Sequence, residues 1–507
     1  MDVGATRTRR GLTLVIAAIA VAMSSSPLPS SAEAPCTGGG DAGSWPMYGR
    51  DLWSTRNQVD ERSIGRAEAG SLRPAWIAGV QGGVSTAVVA GNCVYVADDL
   101  SGTVSVLHLD TGALVWQRKP IAPSYATKTQ TAALSVVGGV VYANASEGDG
   151  SKEPDAAPVG VAYDADTGEL IYESEPVQFG KPTTAWSSAV VANGVQLVVT
   201  NGGDGIPDAR PGYAILDATT GETLHKQTTI PLRDIERGYA GGGQWSTPVV
   251  DVAEGYAYNG TANPYSKKLE HRYDNALIKI DIDPSRPTFG KIVDAYKGNV
   301  DQFIPGLDRQ PLCDMFGEDF GYHPCCNFSV TCVQLDIDFG ASPTMWRNEV
   351  GELMLGALQK SGVFHAVYAE TMQSAWTATV GVLPTVTATA GNAGSPANDG
   401  DKIYVVGNPG VLHALDAETG RIQWVAVVGD GVEYHPVSVA NGVVYVIGNH
   451  GMLMAFDARD GSPLLASSMP RDASRACFTF AGGVSIARGT VLANCDGTLI
   501  AYRLPVR

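Results

Sequence analysis

The sequence predicts an all-β protein: an eight-bladed β-propeller of four-stranded antiparallel blades, its ring closed by an N-terminal strand. Three observations carry that expectation. A phrase made of an apolar strand, an Asp-x-x-Thr-Gly turn and an aromatic residue recurs along the chain. Most copies follow a second phrase, an apolar strand–turn–strand. Glycine supplies 60 of 507 residues and charged residues only 17%, against usual shares of ~7% and ~25%. Short, largely buried strands joined by many turns give that composition. Strand-built periods of ~40–50 residues signal a propeller. One blade cannot bury both its faces, whereas blades stacked around an axis bury each other.

At the N-terminus, Arg7, Arg9 and Arg10 precede an apolar run from Leu12 to Met23, and Ser30-Ser31-Ala32 offers a cleavage site. Such a run is too short to cross a ~30 Å bilayer core as a helix. Residues 1–32 therefore read as a secretory signal peptide, with a buried helix as the blander alternative. Thr8-Arg9-Arg10-Gly11-Leu12 faintly resembles a twin-arginine signal, but a paired arginine is also ordinary in a Sec signal, the favoured route. No later apolar span follows. The expectation is a soluble, exported chain, periplasmic or extracellular, with no membrane span. Residues 33–70 form an N-terminal extension and residues 71–507 the propeller.

Among the repeats, Leu107-His108-Leu109-Asp110-Thr111-Gly112 leads to Trp116, and Asp164-Ala165-Asp166-Thr167-Gly168 leads to Tyr172. Leu412 to Gly420 leads to Trp424, and Leu453-Met454-Ala455-Phe456-Asp457 leads to Gly461. With Asp217, Asp281, Tyr368 and Arg503 at the equivalent place there are eight copies, 41–87 residues apart. The Asp side chain can cap the turn and the Gly can take positive φ. The following Trp or Tyr is expected between neighbouring blades. Asn441-Gly442 is a strong hairpin signal. The last copy lacks its Trp strand, and Leu72-Arg73-Pro74-Ala75-Trp76 looks like the missing piece. Residues 71–79 should therefore complete the last blade beside residues 498–504, removing an exposed sheet edge.

Charge and cysteines narrow the partners. The formal balance of −17 (35 basic, 52 acidic) argues against nucleic acid and anionic membrane as main partners and suits a basic protein or a cation. Cys36, Cys93, Cys313, Cys325, Cys326, Cys332, Cys477 and Cys495 make an even set, which favours disulfides in an oxidising compartment. Zinc competes poorly, because the spacing lacks a paired C-x₂-C frame. No Cys-x-x-Cys-His occurs, so covalent c-type haem is not encoded here.

The phrase Trp45-Pro46-Met47-Tyr48-Gly49-Arg50-Asp51, with the Asp-x-x-Thr-Gly…Trp repeats, resembles the pyrroloquinoline quinone (PQQ)-dependent alcohol dehydrogenases, in particular their polyvinyl-alcohol-dehydrogenase-like branch. The resemblance spans nearly the whole chain after residue 32. It implies PQQ, an oxygen-liganded cation (Ca²⁺ or a lanthanide), and oxidation of an alcohol to an aldehyde or ketone.

Four motifs bear on that chemistry. Gly241-Gly242-Gly243-Gln244-Trp245 is followed by Asn259-Gly260-Thr261-Ala262-Asn263-Pro264. The resemblance makes Trp245 the floor under the quinone and Asn263 a metal ligand, with Ala262 replacing the usual glycine. A flat cofactor needs a flat apolar platform, and a hard cation needs oxygen donors. Interblade packing and a plain turn are the structural alternatives. Leu335-Asp336-Ile337-Asp338-Phe339-Gly340-Ala341-Ser342-Pro343 is the most specific match. It implies Asp336 as general base and metal ligand and Asp338 as an added metal carboxylate; an acidic strand end is the alternative. A base beside a Lewis-acid cation is what alcohol oxidation requires. Gln359-Lys360-Ser361-Gly362 implies Lys360 as a cation facing the quinone carbonyls, where it would stabilise developing negative charge; a solvated lysine is the alternative. Asn201-Gly202-Gly203-Asp204-Gly205 leads to Arg210. The resemblance implies Asp204 in place of a metal-binding Glu and Arg210 as a cofactor contact, with Glu147 and Glu153 as alternative acids and a solvated acidic loop as the bland reading.

Asp204, Asn263 and Asp336 fall in successive blades, and equivalent propeller loops converge at one end of the axis. Such oxygen donors suit Ca²⁺ or a lanthanide, not a soft metal. The cysteines at 313–332 read as disulfides pinning a lid-like loop, or as a loop stapled for stability alone. The expected function is an exported PQQ-dependent alcohol oxidoreductase. It would take a small or polymeric alcohol and pass electrons to an external acceptor, for which a basic cytochrome c suits the acidic surface. The alternative is a non-catalytic propeller scaffold or binding protein built from the same repeats. A hydrolase ranks last, since no Gly-x-Ser-x-Gly or His-Glu-x-x-His occurs.

Overall fold

The computed structural model describes residues 36, 42–80, 85–98, 102–119, 122, 129–147, 157–180, 183–202, 209–264, 270–299, 337–382, 392–429, 435–448, 451–469, 482–495 and 497–506. Their strands form eight sheets of four or five strands. Blade 1 runs outward as Val88–Ala90, Cys93–Asp98, Thr103–His108 and Leu114–Arg118, each antiparallel to the last. The inner strands of blades 3 to 7 are Val190–Ala192, Val249–Asp251, Thr344–Arg347, Ala397–Asn398 and Ser438–Ala440. Blade 2 starts from two short pieces, Thr129–Thr131 and Ser135–Val137, both paired with Val140–Glu147. Inner strands touch their neighbours from blade 1 to blade 3 and from blade 5 to blade 8, which sets them around a common axis. Among the described residues the helical elements are Leu232–Ile235 and the 3₁₀ turn Ala69–Ser71.

Blade 8 draws on both ends of the described chain. Ser485–Ala487, Thr490–Cys495 and Thr498–Arg503 supply three strands, and Arg73–Gly79 adds the fourth, antiparallel to Thr498–Arg503. The ring thus closes as the repeat pattern requires. Trp76 occupies the expected aromatic place, against Gly112 of blade 1, and its Nε1 donates to the Leu109 carbonyl (2.9 Å).

The repeated turn works through two constraints. The Asp164 carboxylate accepts from the Thr167 N–H (2.8 Å), the Thr167 hydroxyl (2.8 Å) and the Asp166 N–H (3.1 Å). Those hydrogen bonds, the Thr167 N–H first, hold its pKa below the usual carboxylate range. Gly168 has φ 65°, and a Cβ there would lie 2.8 Å from Trp116 of the preceding blade. Trp116 Nε1 in turn donates to Ala165 O (3.0 Å). Tyr172 meets Gly221 in this way, as do Trp376 with Gly420 and Trp424 with Gly461, while His225 takes the aromatic place over Gly290. In blade 5 Met372 supplies the positive φ (52°). Each aromatic residue therefore rests on its neighbour's turn. The two middle strands are sandwiched between blades, so that Cys93–Asp98 and Thr103–His108 are buried throughout. That double-sided burial accounts for the low charge fraction.

The N-terminal extension winds around the axis, meeting the blades in ring order. Trp45 bridges Val89 of blade 1, and the Val136 N–H of blade 2 donates to Pro46 O (2.8 Å). N–H groups of Val250, Met345, Asn398 and Val439, in blades 4 to 7, donate to the carbonyls of Leu52, Trp53, Thr55 and Arg56. Gln58 Nε2 reaches Ile486 O of blade 8 (3.0 Å). Among the described residues this one segment hydrogen-bonds to seven of the eight blades. Arg56 is its buried centre, at 0% exposure. The guanidinium donates to Val437 O and Tyr48 O (2.7 Å each) and lies over the Tyr48 ring (4.8 Å). A disulfide joins Cys36 to Cys93. The cysteines at 313–332 and Cys477 lie outside the described residues. No helix among the described residues is long and apolar enough to cross a membrane.

Candidate active site

In a four-stranded antiparallel blade, the chain enters the inner strand at the end where the second strand hands over to the third. Trp245 and Asp338 precede the inner strands of blades 4 and 5. Asn263 and Lys360 lie between the second and third strands of the same blades. Topology alone thus puts all four at one end.

Side-chain geometry joins three of them directly. Trp245 Nε1 donates to Asp338 Oδ2 (2.7 Å), and Lys360 Nζ pairs with Asp338 Oδ1 (2.8 Å). Lys360 Nζ also lies 5.0 Å from the Trp245 ring centroid, within cation–π range. Asp338 and Lys360 are 3% and 8% exposed, whereas Trp245 is partly exposed. Backbone bonds fix the arrangement: the Lys360 N–H donates to Asp338 O (3.0 Å), and the Phe339 N–H donates to Thr261 O (3.1 Å), two residues before Asn263.

The indole is held from several sides. Buried Gln244 donates to Thr229 Oγ1 (3.0 Å) and accepts from Asn259 Nδ2 (3.0 Å), whose Oδ1 accepts from Ser246 (2.9 Å). Gly340 packs against the ring, where a Cβ would collide with it. Trp186 meets it edge-on, with centroids 6.5 Å apart and planes at 84°. Below, the Thr247 N–H donates to Ser342 Oγ (2.8 Å) and the Ser342 N–H to Ser395 Oγ (3.0 Å). Ser395 Oγ lies 3.0 Å from the Tyr48 hydroxyl, so hydrogen bonds link the N-terminal segment through Ser395 and Ser342 to Thr247, two residues after Trp245.

Asn263 is partly exposed beside Pro264, which bridges Gly241. Ala262 lies outside the left-handed region, and its N–H donates to Gly243 O (2.6 Å). The loop therefore accommodates a methyl where the resemblance expected glycine. Arg210 lines a cavity of about 220 Å³ with Ile230, Ile235, Tyr239 and Gly241; the Gly241–Pro264 bridge sets that cavity next to the Asn263 loop. Asp204, Asp336 and Glu153 lie outside the described residues, and Glu147 ends the strand Val140–Glu147. Among the described residues no group of three or more His, Cys, Asp or Glu forms a metal cluster.

Sequence reasoning passed over Trp186, Gln244 and a network behind Lys360. A signal existed for Trp186: like Trp245, it stands four residues before an inner strand and is followed by serine. The partners of Gln244 come from other strands and left no mark in the local sequence.

An indole, a buried Asp–Lys pair and an Asn-bearing loop thus lie together at one end of an eight-bladed ring that is similar to the propellers of PQQ-dependent alcohol dehydrogenases. The chain belongs to the family whose model is described as outer membrane protein assembly factor BamB, which matches residues 46–259 and 359–504. It is 27% identical over 293 residues to a polyvinylalcohol dehydrogenase of Sphingopyxis sp. (strain 113P3), a match covering 53% of this chain and 40% of that protein. It therefore spans well under half of that relative. Its fold is also that of the quinohemoprotein alcohol dehydrogenase ADHIIG from Pseudomonas putida HK5 (TM-score 0.69, 13% identity, 93% of this chain and 83% of that one). A europium-containing methanol dehydrogenase gives TM-score 0.69 at 15% identity, covering 92% of this chain and 98% of that one.

Proposed function

We propose that the protein is an exported oxidoreductase that uses PQQ and a Ca²⁺ or lanthanide ion to oxidise an alcohol to an aldehyde or ketone. The observation that carries this reading is the Asp338 carboxylate bridging Trp245 Nε1 and Lys360 Nζ. Two features support the cofactor assignment. A partly exposed indole with an ammonium 5.0 Å from its centroid suits a flat, oxygen-rich ring system. Asn263 offers a hard oxygen beside it. When bound, PQQ supplies the two-electron acceptor that takes hydride from the alcohol carbon.

The chain's own residues do the rest. Trp245 is the platform, and Lys360 provides positive charge where negative charge develops. Asn263, Asp204, Asp336 and Asp338 are the proposed cation ligands, and Arg210 a cofactor contact. Asp336 is the proposed base that accepts the alcohol's hydroxyl proton. Electrons then leave to an external acceptor, for which a basic cytochrome c complements the net charge of −17. The polyvinylalcohol dehydrogenase match makes polymeric and small secondary alcohols the first substrates to assay.

Reconstitution tests the reading. Protein incubated with PQQ and Ca²⁺ or La³⁺ should reduce a dye in the presence of an alcohol. No PQQ binding with either ion would leave the non-catalytic scaffold as the answer. Asp336→Ala should abolish turnover without unfolding the chain. Retained turnover in Asp336→Ala with loss in Asp338→Asn would move the base to Asp338. Asp338→Ala should weaken La³⁺ more than Ca²⁺, and equal weakening would remove its role as the added ligand.

A further inference from the structure

Behind Lys360 lies a buried polar network that the proposed chemistry does not use. His365, on the third strand of blade 5, is 2% exposed. Its Nδ1 lies 3.0 Å from the Tyr296 hydroxyl of blade 4, and its Nε2 lies 3.1 Å from Gln359 Oε1. Gln359 Oε1 also accepts from the Asn299 N–H (3.1 Å) and the Ser361 hydroxyl (3.0 Å), while its Nε2 donates to Asn299 O (2.8 Å).

These contacts fix the protons along the chain of bonds. A backbone N–H only donates and a backbone carbonyl only accepts, so the two Asn299 bonds set which way the Gln359 amide faces. His365 Nε2 then meets an oxygen and must carry the hydrogen. Its Nδ1 is left as the acceptor, which the Tyr296 hydroxyl fills. The sequence of bonds from Tyr296 O–H to His365 Nδ1, then from His365 Nε2–H to Gln359 Oε1, thus has a single direction. It ends on the residue immediately before Lys360, in the turn closed by the Gly362 N–H on Gln359 O (2.9 Å).

We propose that His365 is a positioning residue for Lys360: in its Nε2–H tautomer it orients the Gln359 amide, which anchors the 359–362 turn to Asn299 and aims the Lys360 ammonium at Asp338 and the Trp245 face. This rests on the assignment of Lys360 to the cofactor site, but its test does not need a loaded enzyme. Lys360 is shielded by burial and by its ion pair, so a loosened turn exposes its amine to acylation. Lys279 is the internal control, because its Nζ donates to Ala369 O (3.1 Å) across the same interface of blades 4 and 5.

The experiment measures acetic anhydride labelling at each lysine of the cofactor-free protein by mass spectrometry. His365→Leu and the milder Tyr296→Phe should each speed labelling of Lys360 by about tenfold, the factor one lost buried hydrogen bond carries, with Lys279 unchanged. His365→Gln, which keeps a donor near the Nε2 position, should restore most of the protection. An unchanged Lys360 rate in both His365→Leu and Tyr296→Phe overturns the proposal. So does an equal rise at Lys279, which would mean general loosening of the interface. In reconstituted protein the same variants should lower kcat with little change in KM for the alcohol. A positive labelling result without any PQQ binding would preserve the positioning role and sink the proposed function instead.

Discussion

Asp338 gathers a backbone turn, an indole N–H and an ammonium around one buried carboxylate, so changes there have separable effects. Lys360→Met should remove the charge above Trp245 while keeping side-chain length. The expected result is weaker PQQ retention in a binding titration together with a lower melting temperature, because the buried Asp338 carboxylate loses its charge partner. His365 adds a pH dependence. Burial lowers its pKa from 6.5 to about 4. Below pH 6.5 the unfolded chain therefore binds a proton that the folded chain refuses. Its stabilising contribution is complete above pH 6.5 and is lost as pH falls toward 4, by about 3 kcal/mol. His365→Gln should flatten that part of the stability–pH curve measured by urea unfolding, and an unchanged slope would contradict the assignment.

At the scale of the element, the repeated turn couples blades as much as it reverses the chain. Two substitutions separate these roles. Gly138 has φ 59° and open space around the position a Cβ would take, whereas Gly168 has φ 65° and the Trp116 ring at 2.8 Å from that position. Gly138→Ala should cost only the left-handed backbone penalty, about 1–2 kcal/mol. Gly168→Ala should cost that plus the ring displacement, about 2–4 kcal/mol in total. Equal losses in chemical denaturation would mean that the aromatic contact contributes nothing. Strand edges follow the same logic: Arg73–Gly79 covers Thr498–Arg503, so blade 8 forms only when residues distant in sequence meet.

Over the whole molecule, the N-terminal segment acts as a strap that winds around the ring. It ties seven blades together among the described residues and is linked to the Trp245 loop by hydrogen bonds through Tyr48, Ser395 and Ser342. Arg56 carries a cation in its centre; desolvation lowers its pKa to about 10, so it stays charged at neutral pH. Arg56→Met should leave Val437 O and Tyr48 O without their donor and cost about 2–5 kcal/mol, seen as a lower unfolding midpoint. The Cys36–Cys93 bridge closes a loop with a sequence separation of 57. Opening it with Cys93→Ala should cost up to about 4 kcal/mol by loop entropy, measured against the intact protein under non-reducing conditions.

The sequence by itself determined the number of blades, the turn chemistry and the closing strand, because each is written in local, repeated residue types: Asp164 and Gly168 need only their neighbours and the next copy. It also marked Trp245, Asn263, Asp338 and Lys360 as candidates, since each stands in a short motif. Only the tertiary structure decided that Asp338 joins Trp245 to Lys360, that Gly340 must lack a side chain, that Gln359 answers to His365, and that the Trp45 phrase straps the ring of blades together. Such relations bring together residues far apart along the chain: Trp245 meets Asp338 across 93 positions and Arg56 meets Val437 across 381. A hydrogen bond or a ring contact is set by distance and direction in space, and residue spacing along the chain holds no record of either until the blades have closed into a ring.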